Sequence, residues 1–250
     1  MTRTARKHSE TGLYHAMLRG CAGLLIFEDD NDRCYFVNLM SRRLSKFDIE
    51  ILCWCLMDNH VHILVEDPND AISNGFHGLA TAYARYFNFK TGRRGPLFQD
   101  RFESVPIESE RQLLNCVRYI HNNPAKAHMA AVDEYRWSSF SEYMGEPRVC
   151  SCSRVLDILG SSERFYEFSK STVPNDYFVI TGGRIQDIDA LEAATALLDP
   201  VRPCDIKTLP RSERDVLLAD LKQRGFTIDQ LVRITGIGRS IIQRAHKAAA

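Results

Sequence analysis

Two histidines, His60 and His62, stand one residue apart in the apolar run CLMDNHVHILVE, residues 55–66. If that run is a β-strand, side chains two apart point the same way, so the two imidazoles project together. Neutral imidazole is a favoured borderline ligand, and a pair on one face can chelate a divalent cation. A buried, hydrogen-bonded structural pair is the other reading of the same spacing. A third ligand has to come from elsewhere, and CVRYIHNNP offers Tyr119 and Asn123, four apart and so on one side of a helix. A phenol can serve as a nucleophile, and an amide oxygen is a hard donor suited to magnesium or manganese. Packing is the commoner use of a tyrosine.

The elements that must hold these residues can be read from periodicity. GLYHAMLRG, residues 12–20, alternates and ends in glycine, which suits a first strand. NDRCYFVNLMSRRLSKF follows with Asn31 as the expected N-cap and Tyr35, Leu39 and Leu44 at helical spacing. IEILCWCLM, the turn residues Asp58 and Asn59, and HVHILVE predict a hairpin. Its second strand puts His60, His62 and Leu64 on one face, with Val61, Ile63 and Val65 on the other. Residues 71–90 fit an amphipathic helix broken by RRGPL, and FQDRFESVPI reads as a further strand or a hairpin. Ser109 caps a helix expected to end near Pro124, with Leu113, Val117 and Ile120 turned inward. Strand, helix, hairpin, helix, strand, helix predicts an α+β sandwich, an antiparallel sheet with helices on one face.

Beyond residue 150 the pattern weakens. CSCSRVLDILGSSERFYEFSKST reads as helical, and VPNDYFVITGGRI carries turn residues and one candidate strand. The last stretch is clearer. SERDVLLADLKQRG, TIDQLVRIT, GIG and RSIIQRAHKAA predict three short helices with Gly236 in a tight turn and Ile242 facing inward, the pattern of a helix-turn-helix. Arg239, Ser240, Gln243, Arg244 and Lys247 then lie on the outer face of the third helix; a small structural bundle is the alternative. The expected division is a catalytic domain over 1–148, a helical or irregular connection over 149–205, and a DNA-binding region over 206–250.

Composition sets the class of protein. Hydrophobic residues at 44% and charged residues at 26% of 250 describe an ordinary globular chain. The polar, basic opening and the lack of a long apolar run predict a cytoplasmic protein without a membrane span. Eight cysteines without a CxxC pair read as reduced thiols, and Cys150 with Cys152 lacks zinc-ligand partners at recognisable spacing. Net charge is zero, which alone argues against a nucleic-acid partner, but cations cluster locally. Arg85, Lys90, Arg93, Arg94 and Arg101 face the single carboxylate of Asp100 within 85–101, and nine Lys or Arg oppose four acids over 207–250. Solvated faces are the plain reading of either cluster. With Arg3, Arg6 and Lys7, the first could neutralise phosphates, and Phe87, Phe89 and Phe98 could stack on unpaired bases, although at least two of the three suit a core better.

YHAMLRG, LMDNHVHILVE, GPLFQDRFES, RYIHNNPAKA and YRWSSF occur in that order over roughly residues 8–145, and in this the sequence resembles the single-tyrosine HUH transposases, particularly the REP-associated tyrosine transposases of bacteria. The resemblance implies a ferredoxin-like fold, His60 and His62 as the HUH pair, Tyr119 as nucleophile and Asn123 as third metal ligand, with Mg2+ or Mn2+ as cofactor. It further implies cleavage and rejoining of single-stranded DNA beside hairpins through a 5′-phosphotyrosine, by a nucleoid-associated protein that is a monomer or a homodimer with a shared site. YRWSSF is expected to pack Trp137 and Phe140 against the catalytic domain. Two other functions compete. HVHILV is half of a histidine-triad motif, which would mean a metal-dependent phosphohydrolase, but Leu64 stands where the third histidine belongs. A catalytically inactive DNA-binding regulator working through the C-terminal helices is the second.

Overall fold

The computed structural model describes residues 7–146, 148–171, 177, 185 and 190–248; the side chains of 192, 196 and 246–248 lie outside that description. The chain divides into two compact units, residues 1–171 and 172–250. The first unit thus runs past the expected edge at 148.

Four antiparallel strands form the sheet of the first unit: β1 (Leu13–Arg19), β2 (Glu50–Leu56), β3 (His60–Glu66) and β4 (Glu103–Ile107), in the order β2-β3-β1-β4. Helices α1 (Asp30–Leu44) and α2 (Ile72–Thr91) make the two crossovers, giving the ferredoxin-like βαββαβ arrangement. The Asp58 and Asn59 turn closes the β2–β3 hairpin, with the Met57 amide donating to the His60 carbonyl at 2.9 Å.

Alternation decides which residues go to which face. Tyr14, Ala16, Leu18, Trp54, Leu56, Val61, Ile63 and Val65 pack with Phe36, Leu39, Phe76, Leu79 and Tyr83 of α1 and α2 in the main core. Leu13, His15, Met17 and Arg19 of β1 share the other face with His60, His62 and Leu64 of β3, as the register Arg19↔His60, Met17↔His62 and His15↔Leu64 requires. Helix α3 (Glu110–Lys126) covers that second face, against β2 and β3.

Helices therefore lie on both faces, not on one as expected. The reason is visible in α3: Leu113, Val117 and Ile120 are buried as predicted, but so are Cys116, Tyr119, His121 and Asn123. A helix apolar or buried on so many sides needs a layer on each side of it. The outer layer is supplied by α4 (Phe140–Tyr143) and α6 (Ser162–Lys170), with α5 (Ser153–Leu159) packed on α6; Phe140, Tyr143 and Phe165 ring His121 at centroid distances of 5.5–5.7 Å.

Two helix ends also depart from expectation. Asp29, not Asn31, caps α1, its carboxylate accepting from the Asp32 amide at 3.0 Å. Helix α3 continues through Pro124 to Lys126 and stops only where His128 takes a left-handed φ of 56°. Proline's φ suits a helix, and its missing N–H costs the helix one bond, to the Ile120 carbonyl. Ser109 caps α3 as read, accepting from the Gln112 amide at 3.2 Å.

YRWSSF lies along the free edge of β2. The Trp137 carbonyl accepts from the Leu56 amide at 2.8 Å, Ser138 bridges Cys55, and the Ser139 hydroxyl accepts from the Trp54 amide at 2.9 Å. Trp137 and Phe140 are buried.

In the second unit, α7 (Ala190–Leu198) is followed by α8 (Arg211–Gln223), α9 (Ile228–Thr235) and α10 (Arg239–Ala248). Thr227 and Gln230 form a reciprocal capping box on α9, and Gly236 ends it at a φ of 70°, a conformation glycine adopts without strain. Leu218, Leu221, Phe226, Leu231, Ile237 and Ile242 are its buried apolar centre. The candidate strand in 173–185 falls outside the described residues except for Tyr177 and Ile185, both buried. Among the described residues no helix is long and apolar enough to cross a membrane.

Candidate metal and nucleophile site

The α3 face of the sheet brings His60 and His62 together, ring centroids 4.9 Å apart and planes nearly perpendicular. The Tyr119 ring meets His62 edge-on at 5.4 Å, and Asn123 follows one turn later on the same helix. Both Tyr119 and Asn123 are buried. The Asn123 amide nitrogen donates to the Tyr119 carbonyl at 2.9 Å, which leaves its oxygen as the branch able to meet a cation.

Each imidazole has one nitrogen committed. His60 Nδ1 lies 2.7 Å from Asn59 Oδ1, an acceptor, so Nδ1 carries the proton and Nε2 keeps its lone pair. His62 Nδ1 lies 2.9 Å from Nε2 of His15, while its own Nε2 is buried and finds no hydrogen-bond partner among the described residues. A buried polar nitrogen without a partner is costly, and the chemistry of this donor set, two imidazoles and an amide oxygen, fits a divalent cation.

Electrostatics keep the histidines neutral, as ligation demands. Burial lowers the pKa of His15 to about 3 and that of His60 to about 4, with His60 and Arg19 respectively adding to the effect. Burial also pushes His62 well below its ordinary range, helped by His60, His15, Lys126 and Arg19.

Three residues near the site were not singled out from the sequence. His15 follows from the same alternation that paired His60 with His62, once the β1–β3 register is known. Arg19 is exposed and sits opposite His60 in that register. Lys126, on the Tyr119 and Asn123 side of α3, places its ammonium 4.8 Å from the centre of the Tyr119 ring. Both cations thus lie beside the cluster of His60, His62 and Tyr119.

The basic segment reaches the same end of the sheet. Phe98 bridges Gly20, the Gln99 amide donates to the Arg19 carbonyl at 2.8 Å, and the Cys21 amide to the Leu97 carbonyl at 2.9 Å. Arg85, Arg93, Arg94 and Arg101 are exposed. Lys90 is engaged otherwise: its ammonium lies 2.8 Å from both Asp29 and Asp32, ending α2 against the start of α1. Of the three phenylalanines, Phe87 and Phe98 are core, while Phe89 stands 91% exposed.

In the second unit Arg239, Ser240, Gln243 and Arg244 are exposed on α10, with Ile242 and Ala245 turned inward. Arg239 also pairs with Asp229 of α9. The side chain of Lys247, like Arg3 and Arg6, lies outside the described residues.

Residues 9–123, which contain His60, His62, Tyr119 and Asn123, match the family model for transposases described as IS200 like. That segment is 115 of the 250 residues, and over it the chain is similar to the IS200-like transposases. Two solved structures are similar to the chain. One is a REP-associated tyrosine transposase bound to a REP hairpin, at 18% identity and a TM-score of 0.48, covering 58% of this chain and 87% of that one. The other, a Deinococcus radiodurans R1 protein described as a transposase, is 17% identical with a TM-score of 0.35, covering 48% of this chain and 97% of that one. No curated protein matches the chain.

Proposed function

We propose that this chain is a divalent-metal-dependent transposase that nicks and rejoins single-stranded DNA beside hairpins through a 5′-phosphotyrosine on Tyr119. The observation that carries the reading is the unpartnered Nε2 of His62, buried beside His60 and the Tyr119 ring within the family-matched segment. His60, His62 and Asn123 are the residues that would hold Mg2+ or Mn2+, which when bound supplies Lewis-acid polarisation of the scissile phosphate.

The chain's own groups carry the rest. Arg19 and Lys126 draw the phosphodiester to the phenol and offset charge building on its oxygens. Tyr119 Oη bonds to phosphorus and gives up its proton, while the 3′-oxygen leaves and takes up a proton. The product is a tyrosine 5′-phosphodiester and a free 3′-hydroxyl. One phosphodiester replaces another, so the reverse attack by a 3′-hydroxyl rejoins DNA without a nucleotide cofactor. Burial of Tyr119 and His62 keeps water from competing for the intermediate.

Substrate contact is assigned to the exposed cations Arg85, Arg93, Arg94 and Arg101 and to stacking on Phe89. Helices α8 to α10 are read as a helix-turn-helix presenting Arg239, Ser240, Gln243 and Arg244 to the hairpin stem. The test incubates the protein with Mn2+ or Mg2+ and labelled single-stranded hairpins from the DNA flanking its own gene. A band that survives denaturant, lost in Tyr119→Phe and in His60→Ala, supports the reading. Cleavage that persists in Tyr119→Phe overturns it.

A further inference from the structure

We propose that His15 is a positioning residue that makes His62 a metal ligand, by accepting the Nδ1 proton of His62 and so leaving its Nε2 with a lone pair; the inference rests on the transposase reading above. The two rings are diagonal neighbours across the β1–β3 ladder, since His15 pairs with Leu64 and His62 stands two residues before it. Their nitrogens are 2.9 Å apart, their centroids 5.0 Å, and their planes 29° from parallel. Both are buried, His15 at 6% and His62 at 1% exposure.

A hydrogen bond between two neutral imidazoles holds one proton on the line between them. If it sits on His15 Nε2, then His62 must carry its own proton on Nε2 and cannot bind a cation. If it sits on His62 Nδ1, then Nε2 is free to ligate. Only the second arrangement gives the buried, unpartnered Nε2 a use. The geometry asks for an acceptor at position 15 and not merely for bulk. A leucine would fill the same place on β1 and supply no acceptor. Tyr119, whose ring meets His15 edge-on at 5.9 Å, also gains a fixed wall on its His62 side.

The full-length protein is titrated with Mn2+ in the absence of DNA, followed by electron paramagnetic resonance. His15→Leu is expected to weaken Mn2+ binding about 10–100-fold, the usual loss when the hydrogen-bond partner of a ligating histidine is removed. His15→Gln, whose amide oxygen can accept from Nδ1, should recover most of it. Nitrogen-15 spectra of the metal-free wild type should show the His62 proton on Nδ1, and this reading decides the matter if the leucine variant fails to fold. A proton on Nε2, or a His15→Leu protein that binds Mn2+ within about twofold of wild type, overturns the proposal. Wild-type protein that takes up no Mn2+ overturns it together with the metal assignment. Normal Mn2+ binding and normal His15 effects without any DNA adduct would refute the transposase reading and leave this inference standing.

Discussion

Glu142 is a buried carboxylate outside the apolar core whose loss should destabilise the first unit. Its carboxylate is 4% exposed; Oε1 accepts from the Trp54 indole at 2.8 Å, and Oε2 accepts from the amides of Arg148, Val149 and Cys150 at 2.8, 2.6 and 2.7 Å. The group thus ties α4 and the 148–150 segment to β2, the strand next to the one that carries both histidines. Hydrogen bonds to a charged acceptor contribute about 1.5–3 kcal/mol each, and an orphaned buried donor costs about 1–3 kcal/mol. The three amides belong to residues that are not fully buried and can turn to water, whereas Trp54 is wholly enclosed. Glu142→Ala should therefore destabilise by about 3–5 kcal/mol. Glu142→Gln can still present an oxygen to the three amides but sets an amide N–H against the indole N–H, for a loss of about 2–3 kcal/mol. Trp54→Phe removes that conflict, so the double variant with Glu142→Gln should show a coupling of at least about 1 kcal/mol. Urea unfolding followed by tryptophan fluorescence reads this unit alone, because Trp54 and Trp137, the two tryptophans of the chain, both lie in it. Glu142→Gln within about 0.5 kcal/mol of wild type would refute the assignment.

Other consequences follow from charge. His121 is buried among Phe140, Tyr143 and Phe165, and burial lowers its pKa to about 3. The unfolded chain protonates it near ~6.5, so below that pH the unfolded state binds the extra proton. Stability is then complete above pH ~6.5 and falls toward pH 3 by about 1.4 kcal/mol per pH unit for each such histidine, His15 included. Urea midpoints that stay level between pH 6 and pH 4 would contradict this. Arg93→Ala with Arg94→Ala should lower the slope of log affinity against log salt on single-stranded DNA by up to ~1.4, two phosphate contacts' worth; filter binding at several salt concentrations measures it, and an unchanged slope removes both from the interface. Arg19→Ala should reduce the rate of adduct formation at least about tenfold with Mn2+ affinity nearly unchanged, as expected of a group that meets the phosphate and not the metal; a loss in metal affinity instead would make it a structural support. Gln243→Ala with Arg244→Ala should weaken hairpin affinity by fluorescence anisotropy, and unaltered affinity would mean that α10 serves another partner.

Periodicity reached the hairpin and the shared face of His60 and His62, because both depend only on neighbours in the chain. It reached the inward stripe of α3 and the cap at Ser109 for the same reason. It did not reach His15 or Arg19, whose roles depend on how β1 registers against β3, a pairing between segments almost fifty residues apart. Nor did it show that α3 is sandwiched. Leu113, Val117 and Ile120 form an ordinary apolar stripe, and only the packing of α4 and α6 explains why His121 is buried as well. The basic cluster of 85–101 was visible as composition, but the commitment of Lys90 to Asp29 and Asp32 is a tertiary contact between two helix ends. Nothing in the local pattern marks Glu142 for burial; the indole of Trp54 and three loop amides converge on it only in the folded chain.

The central claim is a covalent bond between one phenol and the 5′ side of a cut strand. Mass spectrometry of the denatured, trypsin-digested adduct tests it directly, since cleavage after Arg118 and Lys126 isolates Tyr119 as the sole tyrosine of its peptide. The expected product is that peptide carrying a 5′-phosphonucleotide, with a free 3′-hydroxyl on the released fragment. A nucleotide attached elsewhere, a bond to the 3′ side, or cut DNA with no modified peptide would contradict it.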